Sequence, residues 1–236
     1  MKAFILAGGK GTRLYPYTVT FPKPLVPIGD LPIIEIMLRQ LKRAGVTDVL
    51  VSVGHLAELM EAYLRDGAKL GVKIQYVRED KPLGTIGPLA LVPDLPDHFL
   101  LMNGDVLTDL DYAALYRSHV ESGALVSIST YRKKVAIDLG VLVCEGSRVT
   151  DYIEKPTYAY DVSMGVYVLS KAVLQHIPHG EYFDFPSLIK TLLAKGLPVR
   201  AVPFDGLWLD IGRPADYQEA QETFAALRSR ILPEGV

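Results

Sequence analysis

Three glycines, an arginine and a lysine carry the first chemistry along this chain. Gly8, Gly9 and Gly11 follow a short apolar run, Arg13 stands two residues further on, and Lys23 lies between Pro22 and Pro24. Backbone N–H groups of a glycine-rich loop approach phosphate oxygens because no Cβ stands in the way. A guanidinium grips two such oxygens through its planar fork, and a lysine between prolines is a compact charge on a restricted backbone. The spacing departs from both common phosphate loops. A P-loop places Ser or Thr directly after its Gly-Lys pair, whereas Lys10 is followed by Gly11. A dinucleotide fingerprint sets its third glycine three residues after the second and then runs into a helix, whereas Thr12-Arg13-Leu14 leads to prolines. On these residues alone the loop reads as a phosphate cradle in preference to a tight turn packed under a helix.

Two carboxylates occupy positions where such a cleft would use them. Asn103-Gly104-Asp105 follows the apolar run 98–102, and α/β sheets hold ligands at the carboxyl ends of their strands. Trp208-Leu209-Asp210-Ile211-Gly212 delivers a second aspartate after another apolar run. Taken singly, each reads equally as a surface residue or a helix cap. Asp109-Leu110-Asp111 has the spacing with which sugar-transferring enzymes hold a metal, but it directly precedes the helical pattern at Tyr112, where aspartate is an ordinary N-cap. His55, His98, His119, His176 and His179 have no ligand-like spacing. No Ser/His/Asp or Cys/His constellation offers a nucleophile.

These residues need elements to position them. The pattern predicts strands at 2–6, 48–53, 72–77 and 98–102, alternating with helices at 33–44, 56–70, 85–91 and 112–121. That alternation implies a largely parallel sheet with helices on both faces. Beyond about residue 123 strands dominate, at 124–131, 139–144, 149–153, 163–169, 199–203 and 207–209, before a closing helix at 215–230. Half of the 236 residues are apolar, which supports a sizeable core. The net charge of −2 gives no reason to expect nucleic acid or an anionic membrane as partner. The opening MKAFILAGG is too short for a signal peptide or a membrane span, so a cytoplasmic protein is expected. Cys144 is the single cysteine and is expected to be a buried core thiol. The closing helix, both apolar and charged, offers a surface for homo-oligomer formation.

The run Gly8-Gly9-Lys10-Gly11-Thr12-Arg13-Leu14, followed by Pro22-Lys23-Pro24-Leu25-Val26-Pro27-Ile28, resembles the signature of the sugar-1-phosphate nucleotidylyltransferases, or nucleotide-sugar pyrophosphorylases. The motif style is similar to the mannose-1-phosphate guanylyltransferase-like members. The resemblance implies an α/β fold, a Rossmann-like three-layer sandwich with a mostly parallel mixed central sheet, of the nucleotide-diphospho-sugar transferase type. It covers nearly the whole chain and implies one domain over 1–236, with a nucleotide-binding half at about 1–110 and a sugar-phosphate-binding half at about 111–225. No C-terminal β-helix is expected.

The same resemblance distributes roles. Leu6, Ala7, Gly8, Gly9, Gly11, Thr12 and Arg13 would line the nucleotide, joined by Glu79, Gly84 and Thr85 from Pro82-Leu83-Gly84-Thr85. Arg13, Lys23 and Asp105 would act on the reacting phosphates, and Asp105 with Asp210 would hold Mg2+ beside them. Lys23, Gly140, Glu154, Lys155 and Ser163 would receive the sugar 1-phosphate, although Ser163 stands where relatives commonly carry Asn. Glu79 stands where users of uracil or thymine often carry glutamine. A carboxylate only accepts, and guanine presents two adjacent donors, so Glu79 favours GTP over UTP, dTTP or CTP. The bland alternative is a solvated charge within Arg78-Glu79-Asp80-Lys81. The implied reaction joins a nucleoside triphosphate to a sugar 1-phosphate; a glycosyltransferase and a non-catalytic regulatory paralogue are the rivals. Which sugar is used is not legible.

Overall fold

Strands of five or six residues have no room for a helical stripe, and here they bury both faces. The computed structural model describes residues 1–79 and 81–232, so Asp80 of the charged run lies outside the described residues. In chain order the elements are β1 (Lys2–Leu6), β2 (Pro27–Ile28), β3 (Leu31–Pro32), α1 (Ile33–Arg43), β4 (Asp48–Val53), α2 (Ala57–Leu64), β5 (Lys73–Arg78), β6 (His98–Asn103) and β7 (Val106–Thr108). There follow α3 (Tyr112–Ser122), β8 (Val126–Ala136), β9 (Val141–Glu145), β10 (Arg148–Ile153), β11 (Thr157–Ser170), α4 (Phe185–Ala194), β12 (Val199–Phe204), β13 (Trp208–Asp210) and α5 (Pro214–Ile231).

Seven strands form the central sheet in the order β12-β8-β11-β6-β1-β4-β5. All neighbours run parallel except β11, which is antiparallel to both β6 and β8. Successive side chains point to opposite faces of a strand. Accordingly Ala3 and Ile5 join the core under α1, α2, α3 and α5, while Phe4 joins the other core, against α4. In β6, Leu100 and Met102 face the first core and Phe99 and Leu101 the second. Each fully buried large side chain contributes roughly 1.5–3 kcal/mol, so the two cores together lock the three-layer α/β sandwich that was expected.

Four expectations need correction. The helix expected over 56–70 stops at Leu64, because Arg65 and Gly67 take positive φ of 51° and 81° and turn the chain into β5. No helix was expected between residues 169 and 199, yet α4 lies there, capped by Asp184, whose carboxylate accepts from Ser187 N at 2.8 Å, with Pro186 in the first turn. The strand expected at 163–169 is the end of the 14-residue β11, whose outer half pairs only with the outer half of β8. Cys144 is exposed rather than buried, since β9 and β10 form a two-stranded ribbon off the main sheet with neither face covered.

Candidate active site

The carboxyl ends of β6, β1, β4 and β5, side by side in the sheet, open onto a cleft of about 760 Å³. The loop 6–13 lines it, with Ser52 at the end of β4 and Gly54 and His55 beyond it, Glu79, Lys81, Pro82, Gly84 and Thr85 after β5, and Asn103 to Asp105 at and beyond the end of β6. Close backbone approach explains the small residues. A Cβ on Gly54 would stand 2.9 Å from the Gly8 carbonyl oxygen, and a Cβ on Gly8 would stand 2.9 Å from Glu79 Oε1. Gly9 lines the cleft, and a Cβ there would meet nothing within 4 Å.

Lys23 opens a single 3-10 turn, Lys23–Leu25, with Pro22 extended before it. Its ammonium forms an ion pair with Asp105 Oδ2, and both side chains are largely buried. Asp105 Oδ1 is buried with no hydrogen-bond partner among the described residues. The aspartate is anchored on both sides: Gly104 N donates to Leu6 O at 2.9 Å and Ile211 N donates to Asp105 O at 3.1 Å. That second bond sets Asp210 beside it, on β13, opposite Val106 of β7. Burial raises the Asp210 pKa, Asp105 raises it further, and Lys23 and Arg13 oppose the rise. Arg13 reaches the same segment, for a Cβ on Gly212 would stand 3.6 Å from Asp210 Oδ2 and 3.8 Å from Arg13 Nη2. Asp105, Lys23 and Arg13 line the cleft, and Asp210 stands beside them without lining it.

Glu79 is no free solvated charge. Its Oε1 accepts from Ser52 Oγ at 2.8 Å and its Oε2 from Leu83 N at 2.9 Å, which ties the loop after β5 to the end of β4. Each oxygen keeps a lone pair for a further donor. Gly84, with φ of +79°, lies so close to Phe183 that a Cβ would meet its carbonyl oxygen at 2.6 Å. Thr85 Oγ1 accepts from Phe185 N at 2.8 Å.

The residues expected to take the sugar 1-phosphate gather less tightly. Gly140, Glu154, Lys155 and Ser163 do not line the cleft; Lys23 alone of that set does. Glu154 and Lys155 are exposed on the turn between β10 and β11, with Lys155 in the left-handed region at φ 43°. The Tyr152 ring lies against Gly140, and its hydroxyl donates to Glu154 Oε2 at 2.9 Å. Ser163 Oγ meets the Tyr167 hydroxyl at 2.9 Å. The Tyr167 pKa is raised, chiefly by burial, and Asp105 and Asp210 add to the rise. Tyr167 thus holds Ser163, its ring stacked on Phe185 at 3.9 Å.

Several lining residues escaped the sequence reading: Lys10, Ser52, Gly54, His55, Lys81 and Tyr182. Proximity of four strand ends brings in all but Tyr182, which comes from the segment before α4, and only Lys10 carried a local signal, inside the glycine loop. Asp109 and Asp111 line a separate hollow of about 310 Å³. Asp111 caps α3 through Ala114 N at 2.9 Å, and Asp109 accepts from Leu207 N at 2.7 Å and from Arg230 Nε at 3.1 Å. Both are spent on structure, which counts against the glycosyltransferase rival. Among the described residues no group of three or more His, Cys, Asp or Glu is arranged to hold a metal by itself, and no helix is long and apolar enough to cross a membrane.

Residues 2–226 match the family model described as Nucleotidyl transferase. A UTP–glucose-1-phosphate uridylyltransferase of Synechocystis is 36% identical over 93% of this chain and 62% of its own length. A probable mannose-1-phosphate guanylyltransferase of Oryza sativa is 36% identical over 92% of this chain and 63% of its own. The chain thus spans about three-fifths of the length of these curated relatives. The crystal structure of HddC from Yersinia pseudotuberculosis complexed with GMP-PN superposes with a TM-score of 0.73 at 26% identity, covering 94% of this chain and 99% of that one.

Proposed function

The chain belongs to the nucleotidyl transferase family, and from that premise we propose that it transfers a nucleotidyl group from a nucleoside triphosphate, GTP by preference, to a sugar 1-phosphate. A phosphate oxygen of the sugar ester attacks the α-phosphorus, the bond from that phosphorus to the bridging oxygen breaks, and pyrophosphate leaves. The nucleophile is already an anion, so no general base is needed. What must be overcome is repulsion between two anions and growth of charge on the leaving group, which positioning and cations address. Lys23 beside Asp105 is the observation that carries the reading, since it sets a buried cation and an unsatisfied carboxylate oxygen at the mouth of a glycine loop.

In this reading the amides of Gly8, Gly9, Gly11 and Thr12 receive phosphate oxygens beside Leu6 and Ala7. Arg13 takes the departing pyrophosphate, and Lys23 the α-phosphate or the attacking phosphate of the sugar. Gly140, Glu154, Lys155 and Ser163 receive the sugar 1-phosphate, Lys155 its phosphate and Glu154 its hydroxyls. Their absence from the cleft wall means that substrate would bridge the two halves, about 1–110 and 111–225. Asp105 and Asp210 fit a divalent cation such as Mg2+: two hard oxygen donors, one of them orphaned, with phosphates and water left to complete the shell. When bound, that ion would neutralise charge on the phosphates.

Support for GTP comes from Glu79, an acceptor held in the cleft wall with a lone pair free on each oxygen. The relatives themselves divide, one named for GTP chemistry and one for UTP. The substrates are soluble and the place of action is the cytoplasm. A matrix of GTP, UTP, dTTP, CTP and ATP against a panel of sugar 1-phosphates, read by pyrophosphate release with Mg2+, tests the proposal. GTP should give the highest kcat/KM. A clear preference for UTP removes the assignment of Glu79, and no turnover with any pair removes the reaction.

A further inference from the structure

Resting on the nucleotide reading above, we infer that Tyr182 is the stacking surface for the nucleobase. Tyr182 is 66% exposed and lines the cleft together with Lys81, Pro82, Gly84 and Thr85, about 100 residues away in sequence. Its neighbours are committed to structure. Phe183 N donates to Leu83 O at 2.8 Å, and Phe183 O accepts from Ile86 N at 3.1 Å and from Gly87 N at 3.0 Å. Phe185 N donates to Thr85 Oγ1 at 2.8 Å, and the Phe185 ring stacks on Tyr167 at 3.9 Å. Four hydrogen bonds therefore clamp the backbone on one side of Tyr182 to the loop after β5. The exposed phenol is thereby fixed at the cleft wall.

Charge within the cleft argues for a base rather than a phosphate at this place. Arg13, Lys23 and Asp105 line the cleft on the β1 and β6 side, whereas Tyr182 lines it on the β5 side with Pro82, Gly84, the Glu79 acceptor and one exposed cation, Lys81. A phenol carries no charge with which to hold a phosphate, and it has a π-face to offer. Tyrosine supplies that face at the entropic cost of only two side-chain torsions. Glu79 would read the edge of the base while Tyr182 covers its face, so orientation and affinity come from different residues.

The test uses the full chain and measures equilibrium binding of GTP, of UTP and of inorganic triphosphate. Tyr182→Ala should weaken the preferred nucleotide roughly 10- to 100-fold, the range of aromatic–base stacking, while triphosphate affinity stays within about twofold. Tyr182→Phe should bind the nucleotide as the unaltered chain does. Tyr182→Trp should be quenched by nucleotide beyond any change in Trp208, and not by triphosphate. The inference is overturned if Tyr182→Ala binds nucleotide unchanged, or if it loses nucleotide and triphosphate alike, since that marks a general disturbance of the loop. If the unaltered chain binds neither nucleotide, the nucleotide reading itself falls and takes this inference with it.

Discussion

Lys23 and Asp105 concentrate the chemistry at the scale of single residues. Each neutralises the other in a poorly solvated place, so removing either leaves a charge without its partner. Asp105→Asn and Lys23→Met should each lower turnover about 10²- to 10³-fold, by analogy with the loss of one preorganised electrostatic contact. Pyrophosphate release and far-UV circular dichroism, measured together, separate lost chemistry from lost fold. Glu79→Gln is a second residue-scale test. An amide offers one acceptor and one donor group where the carboxylate offers two acceptors, so the kcat/KM ratio of GTP to UTP should fall about tenfold or more. An unchanged ratio would mean that Glu79 serves only to hold Ser52 and Leu83. The sequence displayed the types and order of these residues. It did not display that Glu79 is already bonded, nor that Tyr182 joins the site, because the bond to Ser52 spans 27 positions and Tyr182 lies about 100 from the loop it joins.

At the scale of elements, α3 carries the clearest pH dependence. His119 is fully buried between α3 and the sheet, with Nδ1 2.9 Å from Ser127 Oγ of β8 and its ring 5.1 Å from that of His98 in β6. Burial lowers its pKa from 6.5 to about 4, helped by His98 and by Arg200 of β12. The folded state holds the imidazole neutral while the unfolded chain protonates it near pH 6.5. Stability from this group is therefore complete above that pH and drains away as pH falls towards 4, by about 2–3 kcal/mol at pH 4.5. Urea midpoints between pH 7 and 4.5 should show the decline, and His119→Gln should flatten it. A helix cap gives a second check: Asp184→Ala should cost α4 about 1 kcal/mol, read as a lower melting temperature. Both starts and stops of helices were partly legible. Asp184 with Pro186 is a start signal present in the sequence, whereas the stop at Arg65 is invisible there because an arginine at positive φ has no sequence mark.

On the scale of the whole molecule, a covered sheet carries an uncovered arm. No residue of β9 or β10 is buried, whereas β1 and β6 are buried through their centres. Amides in 141–153 should exchange in seconds to minutes and those of β1 and β6 only on global opening, measurable by hydrogen exchange with mass spectrometry. Equal protection would show that the ribbon is covered in solution, for instance by a second copy. On the same arm Cys144 should react at once with a thiol reagent in the native protein. The sequence by itself determined the family, the α/β alternation and the identity of the charged and glycine-rich residues, because strand period, loop chemistry and ordered motifs are local properties. Only the tertiary structure decided that four strand ends converge on one cleft, that Asp105 and Asp210 stand together, and that the residues around Glu154 stay outside. The reason is physical: burial, field and proximity depend on which strands become neighbours, and in a sheet ordered β12-β8-β11-β6-β1-β4-β5 those neighbours are far apart in the chain.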